Sequence, residues 1–204
     1  MELLKRWLRR HRQPVEQFLA RIGYDHRLWA RSSMYDDCLA MLRELKPHTL
    51  DALEISAGTA WRHLGFKSYT EANYPEFDIC RDVLDRRFDL IIADQVFEHL
   101  LWPYRAAKNV HAMLEPGGWF LITVPFLVRI HREPEDCTRW TETGLKHFLA
   151  ECGFPLEATR TASWGNRACV TANFRTWPRR GWFGSLRNEP DFPVAVWALA
   201  RKGA

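Results

Sequence analysis

The spacing of apolar residues divides the chain into two parts of different texture. In residues 1–48 apolar side chains recur at helical intervals, which predicts helices. Two such stripes follow each other, one formed by Leu3, Leu4, Trp7 and Leu8 and one by Val15, Phe18, Leu19 and Ile22. A third helix is predicted from about Tyr35 to Leu45, ending before Pro47. We therefore interpret residues 1–48 as an N-terminal helical cap and residues 49–204 as a separate domain.

From Leu50 onward short apolar runs alternate with helical patterns. The runs predict strands at 52–55, 67–71, 77–80, 88–93 and 119–124, and the helical patterns lie at 60–64, 102–113 and 141–152. Two further strands are predicted at 164–174 and 193–202, separated by a long irregular loop. Such alternation predicts an α/β domain with a doubly wound, mostly parallel sheet and helices on both faces.

Composition and charge narrow the class of protein. The chain has 204 residues, 47% of them apolar and 26% charged, as in an ordinary globular domain. The net charge of +4 is too small to indicate nucleic-acid binding. None of the five cysteines forms a CxxC pair, so we expect reduced thiols, a cytoplasmic location and no metal site. No apolar run reaches the roughly 18–20 residues of a membrane span.

The basic residues are concentrated at the N-terminus. The first 31 positions hold eight basic and three acidic residues, so the rest of the chain is close to neutral. Residues 1–22 have two interpretations: a solvated helix face that covers the site, or an interfacial anchor on an anionic lipid surface. We favour the cap and expect no obligatory membrane contact.

Polar side chains follow the predicted strands at their carboxyl ends. Ligands of open α/β sheets bind at this edge, and carboxylates there suit a ligand that carries hydroxyls and an amine. The side chains concerned are Glu54 after the first strand, Glu71 and Asn73 after the second, Asp78 or Asp82 after the third, and Asp94 and Gln95 after the fourth.

Four segments, in this order, carry a family resemblance: "ALEISAGTA", "FDLIIADQVFEHL", "MLEPGGWFLITVP" and "LKHFLAECGF". Together they resemble class I S-adenosylmethionine-dependent methyltransferases of the type-11 methyltransferase domain group. The resemblance covers about half of the chain, from Ala52 to Phe154. It implies a Rossmann-like sheet with an antiparallel C-terminal strand, S-adenosylmethionine as cofactor, and methyl transfer that yields S-adenosylhomocysteine.

The resemblance also implies roles for the residues at the strand ends. Glu54 faces the amino group of the methionine part through a water or the loop backbone, Ser56 and Gly58 pass close to the cofactor, and Asp94 and Gln95 line the methionine part. Asn73, or alternatively Glu71, grips the ribose, and Asp78, or less favourably Asp82, approaches the adenine amine. The family has glycine near Ser56 and Ala60; serine and alanine fit there if φ is negative, and we expect the loop still to hold the cofactor.

The segment 125–141 follows the fifth predicted strand and is expected over the methyl group. His131 is the candidate general base, since the pKa of histidine is tuned near neutrality. The alternative is a structural histidine bonded to Asp136 or to a carbonyl. Acceptor-binding candidates are His99, Arg132, Arg139 and Trp140, with Trp164 and Trp182 as further stacking walls. For Glu98 we favour helix packing over a role in the site.

Three functions remain to be compared. The leading one is methyl transfer to a small-molecule or glycan acceptor. The second is an S-adenosylmethionine-binding protein of the same fold without methyl transfer. A nucleic-acid methyltransferase is disfavoured, because the chain after residue 31 is nearly neutral and the fourth strand ends in "ADQV" instead of an Asn/Asp-Pro-Pro-aromatic tetrad.

Overall fold

The computed structural model describes residues 12–203. The helices are α1 (Arg12–Arg21), α2 (Trp29–Glu44), α3 (Pro103–Met113), α4 (Glu142–Glu151) and α5 (Arg167–Asn173). The strands are β1 (Asp25–Leu28), β2 (Asp51–Ile55), β3 (Ser68–Ala72), β4 (Phe88–Asp94), β5 (Leu114–Pro125), β6 (Thr159–Trp164), β7 (Arg179–Gly181) and β8 (Ala195–Arg201). Short 3-10 turns lie at Pro47–Thr49, Arg62–Leu64, Phe97–His99 and Leu156–Ala158.

The central sheet has the order β3-β2-β4-β5-β8-β6. The first four strands are parallel, whereas β8 runs antiparallel to both β5 and β6. The strand order reverses between β2 and β4, so the carboxyl ends of these two strands flank the switch point where ligands of such sheets bind. This topology confirms the prediction of a doubly wound, mostly parallel sheet with an antiparallel C-terminal strand.

Apolar residues on alternate sides of the strands build one core on each face of the sheet. Leu53, Ile91 and Ile122 pack on one face beneath α3 and α4, and Leu90 and Ile92 pack on the other beneath α2 and α5. Both faces are thus covered, as a parallel sheet requires. Helix α2, predicted as part of the N-terminal cap, contributes Ala30, Met34, Cys38 and Leu42 to the second core.

Two predicted elements are absent, and one is much shortened. Residues 77–80 form a turn, because Asp78 Oδ1 accepts the Cys80 N–H at 2.9 Å and the Phe77 N–H bonds Asn73 O; such local bonds compete with a strand ladder. Residues 164–174 hold the end of β6 and then helix α5, whose first turn is capped by Asn166. The predicted helix at 60–64 is only the 3-10 turn Arg62–Leu64.

The strand β6 was not predicted, and the loop predicted at 176–192 contains the short strand β7, which pairs with β1. The apolar stripe Leu3–Leu8 and most of the predicted anchor at 1–22 lie outside the described residues or side chains. None of the described helices combines the length and the apolar character needed to cross a bilayer.

Candidate active site

Glu54 at the end of β2 is a buried carboxylate that is only half satisfied. Its side chain is 1% exposed, and Oε1 accepts the Gly58 N–H at 2.9 Å. The other oxygen, Oε2, is buried without a hydrogen-bond partner. Burial raises the pKa of Glu54. One oxygen therefore shapes the loop after β2, and the other remains available to a hydrogen-bond donor or a cation.

The loop after β2 departs from one expectation. Ser56 has φ +53, so it occupies the left-handed region that favours glycine, and the condition of a negative φ is not met there. Its N–H bonds Ala72 O at 2.9 Å, which ties this conformation to the neighbouring strand. Ala60 has no positive φ, so the condition is met at this position. A Cβ built on Gly58 meets its nearest atom, Glu54 Oε1, at 3.9 Å, so the protein itself leaves space at Gly58.

The two ribose candidates lie in different surroundings. Asn73 Oδ1 accepts the Ala57 N–H at 2.7 Å, which brings this side chain against the loop after β2. Glu71, the register partner of Glu54 on β3, forms an ion pair with Arg62. Neither side chain lines the cavity that opens at the carboxyl ends of the strands. Asn73 is the better placed of the two, because Glu71 is already paired.

The cavity at the carboxyl ends of the strands, here called the main cavity, has a volume of about 540 Å³. Ser56, Asp78 and Gln95 line it, and His99 lies at the end formed by residues 133–135. Asp82 does not line it; its Oδ2 accepts the Asp78 N–H at 2.7 Å and supports the turn. The sequence left Asp78 and Asp82 as alternatives, and the cavity favours Asp78.

Asp94 ends β4 with both oxygens engaged by the protein. Oδ1 accepts the Thr123 hydroxyl at 2.6 Å and Oδ2 accepts the Tyr35 hydroxyl at 3.1 Å. Burial and the nearby Asp94 charge raise the pKa of Tyr35 to about 12, so the phenol stays a donor. Gln95 has φ +58, and its side-chain amide bonds Thr123 Oγ1 at 3.2 Å. Asp94 thus holds this strand end together, while Gln95 reaches the cavity.

The sequence analysis missed Tyr35 and Thr123 as members of this network. Thr123 was visible in principle, since it is a polar residue inside the apolar run "FLITVP". Nothing in the sequence pairs Tyr35 of α2 with a strand end 59 positions later.

The segment after β5 folds back onto the 3-10 turn Phe97–His99. The Cys137 N–H donates to Glu98 O at 2.7 Å, and Glu135 O pairs with His99 Nδ1. His131 Nδ1 lies 3.4 Å from Asp136 Oδ2 but has no hydrogen-bond partner. Asp136 instead accepts the backbone N–H of His131 at 2.8 Å. Asp136 therefore fixes the backbone at His131 and leaves the ring uncommitted.

Burial lowers the pKa of His131, so its imidazole is neutral near pH 7. The rings of His131 and His99 meet edge to face with centroids 5.1 Å apart, and Trp177 contacts the other side of His131 at 5.3 Å. Trp177, which the sequence analysis did not single out, is thus the aromatic neighbour of this ring.

Three predicted acceptor-binding residues line neither the main cavity nor the small cavity beside His131. Arg139 forms a bidentate ion pair with Asp136. Trp140 is 7% exposed and packs against Phe148 in the core, and Arg132 is exposed. Trp164 is buried and donates to Leu186 O, and Trp182 donates to Ile22 O and packs on Tyr24. Of the predicted acceptor side, the structure brings together His99 and His131.

Glu98 is fully buried, and neither carboxylate oxygen has a hydrogen-bond partner. Burial raises its pKa to about 8. The expectation that Glu98 serves helix packing does not account for two orphaned oxygens, one of which lies 3.5 Å from His99 Nε2.

Comparison with known proteins agrees with this fold. A family model described as "Methyltransferase domain" matches residues 20–159. No curated protein matches the sequence. The chain belongs to this methyltransferase family, and it is a class I methyltransferase with S-adenosylmethionine as its cofactor.

Solved structures share the fold at low sequence identity. An S-adenosylmethionine-dependent methyltransferase from Mesorhizobium loti aligns with TM-score 0.54 and 17% identity over 80% of this chain and 96% of that chain. One from Thermotoga maritima aligns with TM-score 0.54 and 13% identity over 96% and 98%. A Haemonchus contortus phosphoethanolamine N-methyltransferase, solved with phosphomonomethylethanolamine and S-adenosylhomocysteine, aligns with TM-score 0.55 and 13% identity over 83% and 53%.

Proposed function

We propose that this methyltransferase acts on a hydroxyl or amine of a small-molecule or glycan acceptor. The observation that carries the proposal is the character of the cavity end near His99, where Glu133 and Glu135 also line the wall. These side chains accept hydrogen bonds or protons and suit an acceptor that donates them. The cavity volume of about 540 Å³ lies in the range of small-ligand sites.

The residues at the strand ends fit the cofactor. Glu54 Oε2 is a buried acceptor without a partner, which suits a cationic amine. Gly58 leaves room beside it, Asn73 adjoins the same loop, and Asp78 and Gln95 line the cavity. When bound, S-adenosylmethionine supplies an electrophilic methyl group on its sulfonium. We assign Glu54 and Gly58 to the methionine part, Asn73 to the ribose and Asp78 to the adenine.

On the acceptor side the protein aligns the acceptor with the methyl group and removes the proton of the attacking atom. Methyl transfer is an in-line displacement that needs alignment first, and a base only where the attacking atom carries a proton. A neutral His131 ring can take that proton, so its role as general base stays a prediction. The structure of the phosphoethanolamine N-methyltransferase contains a small amine as ligand, a precedent on this fold for an acceptor of the proposed class.

Cofactor binding without methyl transfer is the second candidate. The left-handed φ of Ser56, where the family has glycine, favours it, because a strained loop can hold the cofactor less well. Release of S-adenosylhomocysteine in a host metabolite extract distinguishes the two functions. For location we propose the cytoplasm, since Cys38, Cys80, Cys137, Cys152 and Cys169 are all free thiols.

Calorimetry with S-adenosylhomocysteine tests the assignment of Glu54. We expect 1:1 binding to the native chain and an affinity about 10–100-fold lower for Glu54→Gln, as for loss of a charged hydrogen-bond acceptor. The exposed Asp85→Asn is the matched control and should bind like the native chain. Labelled S-adenosylmethionine with the extract then identifies the acceptor. Binding without any labelled product would leave the second candidate in place.

A further inference from the structure

Glu98, His99 and His131 form a compact group of metal-binding side chains, here called the EHH cluster. One ligand atom from each lies within 4.8 Å of the other two. His99 lines the main cavity, and His131 lines a small neighbouring cavity; Gln95 lines both. A carboxylate and two imidazoles make up a donor set that Zn²⁺ and other first-row divalent cations take in proteins.

Glu98 is the first reason to look for a bound cation. Its side chain has no exposed surface, and both oxygens lack a partner. Buried polar groups are almost always hydrogen-bonded, so a buried carboxyl group without a partner is unusual. The charges of Arg31 and Arg139 favour a carboxylate there, but Arg139 donates its hydrogen bonds to Asp136 and Thr138 instead. The Glu98 carboxyl group is therefore buried without a hydrogen bond from either arginine.

His99 is oriented as a ligand. Its Nδ1 pairs with the backbone oxygen of Glu135, and since a carbonyl only accepts, Nδ1 carries the proton. The lone pair on Nε2 then faces Glu98 Oε1 at 3.5 Å without a hydrogen bond between them, so this nitrogen is available to a cation. Metal-binding histidines characteristically donate their second N–H to such an oxygen. Zn–N and Zn–O bonds of about 2.0–2.1 Å in a tetrahedron put neighbouring ligand atoms roughly 3.4 Å apart.

His131 completes the group without rearranging its supports. Its Nδ1 is buried without a hydrogen-bond partner, and Asp136, the nearest carboxylate, is taken up by Arg139 and by the backbone N–H of His131. The ring is held between His99 and Trp177. Three side chains without competing side-chain hydrogen bonds therefore place ligand atoms within 4.8 Å of one another.

We propose that the EHH cluster binds a first-row divalent cation. Three protein ligands leave a coordination position open, as in catalytic metal sites. The role of the cation rests on the proposed function: an acceptor hydroxyl bound at the open position loses its proton to water more readily. The hydroxyl oxygen keeps the electron pair for the new O–CH₃ bond, and the breaking C–S pair stays on sulfur. The cation then replaces the free His131 ring as the activating group.

The experiment measures metal binding by the full chain after chelator treatment, without any turnover. Calorimetry with Mn²⁺ and Zn²⁺ is run on the native chain, Glu98→Gln and His131→Ala. The matched controls are Glu133→Gln, an exposed carboxylate at the same cavity, and His147→Ala, an exposed histidine on α4. S-adenosylhomocysteine binding is measured on each sample in parallel.

We expect one cation per chain, an affinity at least about tenfold lower for each cluster variant, and no change in the controls. No binding to the native chain at millimolar metal overturns the proposal, and so does equal binding by all variants. Should a variant fail to fold, Co²⁺ absorption of the native chain decides: bands that differ from aqueous Co²⁺ and shift at the open position with added azide support the site, and the aqueous spectrum overturns it.

The parallel titration separates this proposal from the proposed function. A chain that binds S-adenosylhomocysteine but no cation loses only the EHH cluster. A chain that binds the cation but no S-adenosylhomocysteine keeps the cluster and loses the proposed function.

Discussion

Asp94 and Glu98 lie four positions apart after the same strand, and the protein surrounds them in opposite ways. Asp94 accepts hydroxyl hydrogen bonds from Thr123 and Tyr35, one on each oxygen. Glu98 is fully buried and accepts none. A carboxylate whose oxygens accept hydrogen bonds from the protein stabilises the fold, whereas a buried one without such bonds costs stability until a ligand binds. Glu54 stands between the two, because one of its oxygens accepts the Gly58 N–H and the other has no partner.

The acceptor side should show the largest effect on catalysis. With the acceptor identified in the extract, His131→Ala should lower turnover about 10²–10⁴-fold, because it removes either a general base or a ligand of the activating cation. Affinity for S-adenosylhomocysteine should stay unchanged. The measurement is steady-state turnover per folded molecule, with His147→Ala as control. Near-native turnover and a lower melting temperature would identify a structural histidine instead.

The cofactor side should lose its ligand when Gly58 gains a side chain. We expect Gly58→Val to weaken S-adenosylhomocysteine binding at least about 100-fold, or roughly 2.7 kcal/mol, because the added methyl groups enter space that the protein leaves free. Calorimetry measures the affinity, and Gly203→Val, whose Cβ meets nothing within 4 Å, is the matched control. Native affinity in Gly58→Val would mean that the cofactor does not pass this loop.

Removing the satisfied carboxylate should destabilise the fold. Asp94→Ala leaves the hydroxyls of Tyr35 and Thr123 without their acceptor, so the free energy of unfolding should fall by about 2–4 kcal/mol. Urea unfolding measures the change. The exposed Asp85→Ala should stay within about 0.5 kcal/mol of the native chain. A loss no greater than that of Asp85→Ala would show that the network contributes no stability.

Replacing the empty carboxylate should have the opposite sign. In chelator-treated protein, Glu98→Met should raise the free energy of unfolding by about 1–3 kcal/mol, since an apolar side chain of similar volume needs no partner. The same urea series measures it, with Glu133→Met as control. Destabilisation by Glu98→Met would mean that Glu98 has partners within the folded chain, and the contrast with Asp94 would fail.

Much of the fold could be read from the sequence because it depends on local pattern. The strands β2, β4 and β8 and the helices α3 and α4 coincide closely with their apolar periodicity. The turn at residues 77–80 could not be predicted from the sequence, because Phe77, Ile79 and Cys80 are buried there as they would be in a strand. The Asp78 side chain, which bonds the backbone, makes the turn instead. The helix α5 was misjudged because β-branched Val170 and Thr171 are typical of strands, whereas the Asn166 cap favours the helix.

The sequence by itself determined the class of protein and the polar residues at the strand ends. Parallel strands bring their carboxyl ends to one edge, so Glu54 and Gln95 had to lie at the same edge of the sheet. Only the tertiary structure decided which of the polar and aromatic side chains already have partners within the protein. Arg139 is paired with Asp136, and Trp140 packs in the core. Glu98, His99 and His131 lie together because the segment after β5 bonds back to the turn after β4. Partners chosen from distant parts of the chain leave no periodicity in the sequence, and they decide which groups remain free for chemistry.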